Sequence, residues 1–531
     1  MPLGSFTLVL HAHSPYVRRT NEARLFRAIA ETYLPLLIAL DELQREGLTP
    51  RLTLACSPLW LEQLADTELQ TRFELYLEEQ LALVETLHAA PASLQTWYRD
   101  WHTRLLRAYR DDYARDLIGG LKRLAADDAL DLLTSAATHA YLPLCDRDAT
   151  IYAQLKLGIA ATRRHFGHNP RGVWLPACGY RPAFMDGTHY KPGIEEFLAE
   201  LNLGYFFCDA NGIADSRAPG NVPARKIVVR ADERPVAKFR TTLRPYYVQA
   251  ANVAVFARNP HASLQVIGQA HAYPNDFVYR DPARADPATG LRLWRLTASN
   301  ATSAQKELYD PAIAWARTRM HAEHFVSVVA QQIRTHHFQG FKPGIVTAAF
   351  DAEIFGVRWF EGIAWLKEVL RQCATSPDVE LTTARAYVRA YPPDHMLALP
   401  ESSWGKHNDH STWANAHTAW MWDALNAAAR EMESLVAQFS NATGERQAIL
   451  TQAARELLLL QTSDWVVGVG EPATQDDANE PFRQHHARFT RLAALARRDA
   501  WSDEERRYVA HVAALDQPFA DLDYRLFAAR E

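Results

Sequence analysis

Short apolar runs separated by helical stretches constrain this chain more than any other feature. Phe6–Leu10 (FTLVL), Leu52–Leu54, Asp131–Thr134, Gly172–Leu175, Tyr205–Cys208, Val253–Phe256 and Gly344–Ala349 read as buried strands, and a helix is expected around Thr32–Glu46. Such alternation predicts an α/β fold with a parallel sheet or barrel. From residue 58 to 126 the pattern is helical, charged and aromatic (WYRDWHTRLLRAYRDDYARDLIGGLKRL), which reads as a helical insertion. The stretch 211–244 is rich in Gly, Pro and charge, as lids and binding loops are. Beyond Pro400 the texture changes. His410–Ser440, Arg446–Thr462, Asn479–Arg498 and Ser502–Leu515 are helical in pattern with no strand between them, as in a separate helical domain. The expected division is 1–57 with 127–400, 58–126, and 401–531.

Composition narrows the function. The 531 residues are 48% hydrophobic, enough for a large core. Lys and Arg number 57 against 62 Asp and Glu, a formal charge of −5 with no basic block, which gives no footprint for nucleic acid. The opening run MPLGSFTLVLHAHSPY is too short and too polar for a signal peptide or a membrane span. Five scattered cysteines without CxxC spacing fit reduced thiols in a cytoplasm. The 14 Trp and 20 Tyr suit core packing and sugar stacking alike.

Several polar groups stand at strand exits, where barrel enzymes build their sites. In LVLHAHSPYV, His11 and His13 are two apart and share a face. Hydrogen bonding to a polar substrate, a structural role and a metal pair are the readings, the last weakened because no third ligand follows at a telling spacing. His139, in LLTSAATHAYLPL, follows another strand and by itself suits a turn or the core. In GVWLPACGYRPAF, Trp174 ends a strand and Ala177, Cys178, Tyr180 and Arg181 follow; Cys178 has no visible base and reads as inert. In GIVTAAFDAEIFGVRWFEG, Asp351 suits a general acid/base or a helix cap, with Glu353 two residues on. Asp209 carries the same two readings. Trp404, and Asp464 with Trp465, suit either a glucosyl subsite or interdomain packing. No spacing implies a metal or organic cofactor, and a monomer is slightly favoured over an oligomer.

Taken in order, HAHSPYV, ATHAYLPL, WLPACGYRP, FDAEIFGVRWFEG, SSWG and SDW resemble the signature regions of glycoside hydrolase family 57, specifically its 1,4-α-glucan branching enzymes; ARNPHASLQV, with Arg258, resembles another segment of that group. The resemblance spans residue 8 to about 525. It implies a distorted (β/α)7 barrel, an inserted helical subdomain and a C-terminal helical domain closing over the cleft. It also implies a retaining mechanism on α-1,4-glucans such as amylose, glycogen and maltooligosaccharides, with transfer to a 6-hydroxyl. By this resemblance Asp351 matches the acid/base. His11, His13 and His139 match polar residues near the cleaved bond, Trp174, Tyr180 and Arg181 flank the nucleophile, and Trp404, Asp464 and Trp465 match glucan contacts.

The chain departs from the family at the decisive position. The family motif reads WLPE; here it is WLPA, and Ala177 stands where the glutamate nucleophile belongs. Val357 replaces the histidine usual after DAEIFG, and residues 211–244 contain no tyrosine, where the branching enzymes carry one that excludes water. A chain so written is expected to bind glucan without running the double displacement. Ala177 is either a natural loss, which the other departures favour, or a designed change in an active branching enzyme or hydrolase. A non-catalytic glycogen-associated docking protein is the remaining alternative.

Overall fold

The computed structural model describes residues 2–530 apart from 18–21, 88–89, 128, 215–225, 228–233, 238, 250, 270, 299–301, 303–304, 342 and 471–474. Part of the irregular stretch 211–244 thus lies outside the described residues.

The predicted strands form, and they lie side by side. Gly344–Asp351, Gly4–Ala12, Leu52–Cys56, Leu130–Ser135 and Val173–Trp174 are neighbours in one sheet, every pair parallel. A parallel bridge from Gly172 to Tyr205 carries the order on to Tyr205–Cys208, which pairs in parallel with Ala254–Ala257. Asn259 N–H then donates to Thr347 O at 2.8 Å, returning to the first strand of the series. Ladder pairing is interrupted at that last junction and near Val173–Trp174, so the seven-stranded barrel is distorted, as expected. Its strands are apolar on both faces because helices cover the outside and side chains fill the inside. All nine residues of Gly4–Ala12 are buried.

Helix Leu34–Arg45 lies within one residue or two of its predicted place, preceded by a π-helical turn at Ile29–Tyr33. Between the second and third strands run helices Pro58–Leu64, Thr67–Glu85, Ala92–Arg107 and Leu117–Ala126. The long pair buries Phe73, Leu77 and Tyr98 in the same apolar cluster as barrel residues Phe6 and Leu54. C-terminal helices Ala419–Gln438, Gly444–Leu460, Ser463–Gly470, Gln475–Ala496 and Asp503–Leu515 bury Leu457–Leu460 in a second cluster. That cluster also takes in Tyr141, Leu157 and Ala177 from the barrel and Leu59 from the first inserted helix, so the helical region seats directly on the strand-end rim. Among the described residues no helix is long and apolar enough to cross a membrane.

Candidate active site

The strand exits converge. His11 and Asp351 are Cα partners in the register of adjacent parallel strands, so their side chains start from neighbouring positions on one sheet. His11 Nδ1 and Asp351 Oδ1 meet at 3.1 Å. The Asp351 side chain keeps 46% of its surface exposed while His11 is buried. Asp351 occupies the cap position of the turn Ala352–Ile354 but makes no side-chain cap bond, which removes the capping alternative for its carboxylate. Asp209 Oδ1 accepts from the adjoining Ala210 N–H at 2.6 Å, and its other oxygen accepts from Arg258.

His13, just past the end of its strand, shares the face of His11; the rings stack with centroids 5.8 Å apart. His139 lies 4.0 Å from the His13 ring and 5.1 Å from that of His11, and Trp174 lies 5.2 Å from His11 on the other side. The backbone of His139 is left-handed, with φ 56°. Two residues of the C-terminal region complete this wall. His13 Nε2 pairs with Asp464 Oδ2 at 2.9 Å, and His139 Nδ1 with Ser463 Oγ at 2.9 Å. Ser57, at the exit of the second strand, bonds His13 Nδ1 at 3.0 Å.

These contacts order the charges. Burial lowers the pKa of His11 despite Asp351 beside it, and burial next to His13 and His11 lowers that of His139 further. Burial pulls His13 down, but the Asp464, Glu353 and Asp351 carboxylates together outweigh it and hold His13 above its ordinary value. Burial pushes Glu353 up to about 7; its carboxyl accepts from Tyr33 Oη and from His13 N–H.

Ala177 sits in the tight turn Pro176–Cys178, left-handed at φ 53° and ψ 29°, with Cys178 also left-handed at φ 50°. For a residue with a Cβ such backbone costs about 1–2 kcal/mol, and strain of this kind gathers at functional sites. Ala177 O accepts from Trp404 N–H at 3.1 Å. The Trp404 ring stands edge-on to Trp174 at 5.2 Å and carries the Arg258 guanidinium at 5.3 Å. Burial chiefly, and then the nearby Asp209 and Asp351 carboxylates, raise the Cys178 thiol, consistent with an inert cysteine.

Of the predicted site residues, His11, His13, His139, Trp174, Ala177, Asp209, Arg258, Asp351, Trp404 and Asp464 are thus linked through direct contacts. Three are placed elsewhere. Tyr180 is fully buried behind the turn, donating to Glu195 Oε2 at 2.7 Å. Arg181 is buried with its guanidinium 4.9 Å from the Phe184 ring centroid. Trp465 is 6% exposed, and its Nε1–H donates to Leu459 O at 2.8 Å inside the helical region. Sequence reasoning missed Ser57 and Ser463, although Ser463 stands beside Asp464, already singled out. It also missed Tyr141, inside the quoted ATHAYLPL run, whose ring stacks on Trp413 at 4.0 Å in the apolar cluster that holds Ala177.

The comparisons with known proteins agree with one another. The family model described as glycosyl hydrolase family 57 matches residues 7–400, and that of the 1,4-α-glucan branching enzyme C-terminal region matches 424–527. A 1,4-α-glucan branching enzyme of Thermococcus kodakarensis is 37% identical over 503 residues, covering 92% of this chain and 73% of that protein. Its crystal structure matches with a TM-score of 0.91 at 34% identity, over 100% of this chain and 97% of that one. The branching enzyme of Pyrococcus horikoshii gives 0.89 at 31%, over 100% and 97%. The α-amylase AmyC of Thermotoga maritima gives 0.83 at 27%, over 99% of each chain.

Proposed function

The chain belongs to glycosyl hydrolase family 57 and is of its branching-enzyme type, and from that premise we propose that it binds α-1,4-glucan across the strand-end cleft but cannot carry out the double displacement. One observation carries the reading. The half-exposed Asp351, braced by His11, is joined through the Trp174 and Trp404 rings to a strained turn that offers only a methyl group at Ala177. In a retaining enzyme a second carboxylate ~5–5.5 Å from the acid attacks the anomeric carbon. A methyl group can neither form that bond nor steady an oxocarbenium-like centre. Asp351 can still offer a proton to a glycosidic oxygen, while Asp464 and the histidines can hold sugar hydroxyls and Trp404 can stack. The proposal includes the domain division 1–57 with 127–400, 58–126, and 401–531. It also includes a cytoplasmic setting, which unpaired cysteines fit.

Isothermal titration with maltoheptaose tests the binding half. Saturable binding at millimolar ligand is expected, weakened about tenfold by Trp404→Ala, which corresponds to ~1.4 kcal/mol of lost stacking. Heat that never saturates at millimolar ligand counts against a glucan site. A second reading, an active branching enzyme or α-glucan hydrolase disabled by design, is favoured by the intact bonding among His11, His13, His139, Asp351 and Asp464. Ordinary enzyme rates after Ala177→Glu would select it. The exposure of Asp351 opposes the docking-protein alternative.

A further inference from the structure

Trp404 stands on a segment without helix or strand, residues 401–418, so its position depends on loop and side-chain bonds. At one end Ser402 and Tyr180 exchange both backbone bonds, at 2.8 and 3.1 Å. At the other, Trp413 O accepts from Thr418 Oγ and from Trp422 Nε1–H, each at 2.8 Å, which ties the segment to helix Ala419–Gln438. Between these ends the chain folds back on itself. Ser403 N–H donates to Asn408 O at 3.2 Å, and Ser403 Oγ donates to Asp409 O at 2.6 Å. Trp404 directly follows one side of that staple and His410 the other. Gly405 lies so close to Trp413 that an added Cβ would stand 2.8 Å from its ring. A shift of His410 is therefore passed to Trp404 through one short bonded path.

His410 is 4% exposed, and its Nδ1 meets Tyr141 Oη, on the barrel side, at 2.7 Å. Burial holds the Tyr141 phenol well above its ordinary pKa, so the hydroxyl stays protonated and can donate to Nδ1. The imidazole proton then sits on Nε2. That nitrogen is buried, stands 3.7 Å from Glu401 Oε1 and makes no hydrogen bond among the described residues. A buried nitrogen left unpaired costs stability, and an apolar side chain of similar size would avoid that cost. Stability alone does not account for a histidine at this place. The Tyr141 ring in turn stacks on Trp413 with centroids 4.0 Å apart and planes within 11°, so one tyrosine grips the segment at two points.

We propose that His410, held by Tyr141, is a positioning residue for α-glucan: it fixes the loop that carries the Trp404 ring beside Trp174 and so sets the strength of stacking on that ring. His410 is buried and acts without touching the sugar. The inference deepens the glucan reading above and rests on it.

Isothermal titration of the full chain with maltoheptaose tests it as a double-mutant cycle. His410→Leu is expected to raise the dissociation constant about fivefold, but less than about twofold when Trp404→Ala is already present, because no ring is left to position. His410→Gln, whose amide can still pair with Tyr141 Oη, should recover most of the affinity. Tyr141→Phe keeps the ring stack, removes the bond from the barrel side and should repeat the loss. It also serves as the second route if circular dichroism shows that His410→Leu does not fold. Equal losses with and without the Trp404 ring overturn the positioning role. So does unchanged affinity in His410→Leu and Tyr141→Phe. Absence of saturable binding to the unaltered chain is a different outcome: it defeats the glucan reading, and the inference with it.

Discussion

At the scale of single residues, burial decides what each polar group can do. Tyr180 and Glu195 form a closed pair rather than a cleft contact: Glu195 is 2% exposed, and burial raises its carboxyl from the ordinary 4.5 to about 7. Between those values the folded chain holds a proton that the unfolded chain has released. Stability therefore falls as pH rises through that window, by ~1.4 kcal/mol per unit. Glu195→Gln removes the titration. Urea unfolding at pH 5 and pH 8 should show a smaller loss of stability in the variant than in the unaltered chain, and equal losses would contradict the assignment. Polar wording at a strand exit could not separate Tyr180 from Asp351, because the distinction lies in which side of the turn each side chain leaves. The same holds for Trp465 against its neighbour Asp464: on a helix, adjacent residues point about 100° apart, so one is buried while the other reaches His13.

At the scale of elements, register does the positioning. Pairing Gly4 with Gly344 puts His11 beside Asp351 seven residues on, and a slip by one residue would send one of them to the other face of the sheet. The apolar runs made the strands legible, and Tyr205–Cys208 matches the expected span residue for residue. Helix Pro311–Phe338 was not anticipated, since its buried Ala314, Thr318, Ala322 and Phe325 make a weak apolar stripe. The turn after Asp351 depends on Gly356, at φ 118°, where an added Cβ would lie 2.0 Å from Glu31 O. Gly356→Ala is expected to lose on the order of 2–4 kcal/mol. An unchanged denaturation midpoint would show that the turn does not hold this loop.

At the scale of the whole molecule, the site is assembled from opposite ends of the chain. Seven strand exits supply the floor, and the helical region supplies Ser463 and Asp464. Sequence order alone could not bring these together; only the wording of the motifs hinted at it. On the proposed reading, what the assembly lacks is one carboxylate at residue 177. The most direct measurement is an assay of amylose for α-1,6 branch points and new reducing ends, run on the unaltered chain and on Ala177→Glu. The account predicts no product from the unaltered chain. It predicts product from the variant, with reducing ends outnumbering branch points because residues 211–244 lack a tyrosine, and its loss again on Asp351→Asn. Turnover by the unaltered chain, or none from a folded, glucan-binding Ala177→Glu variant, would contradict it.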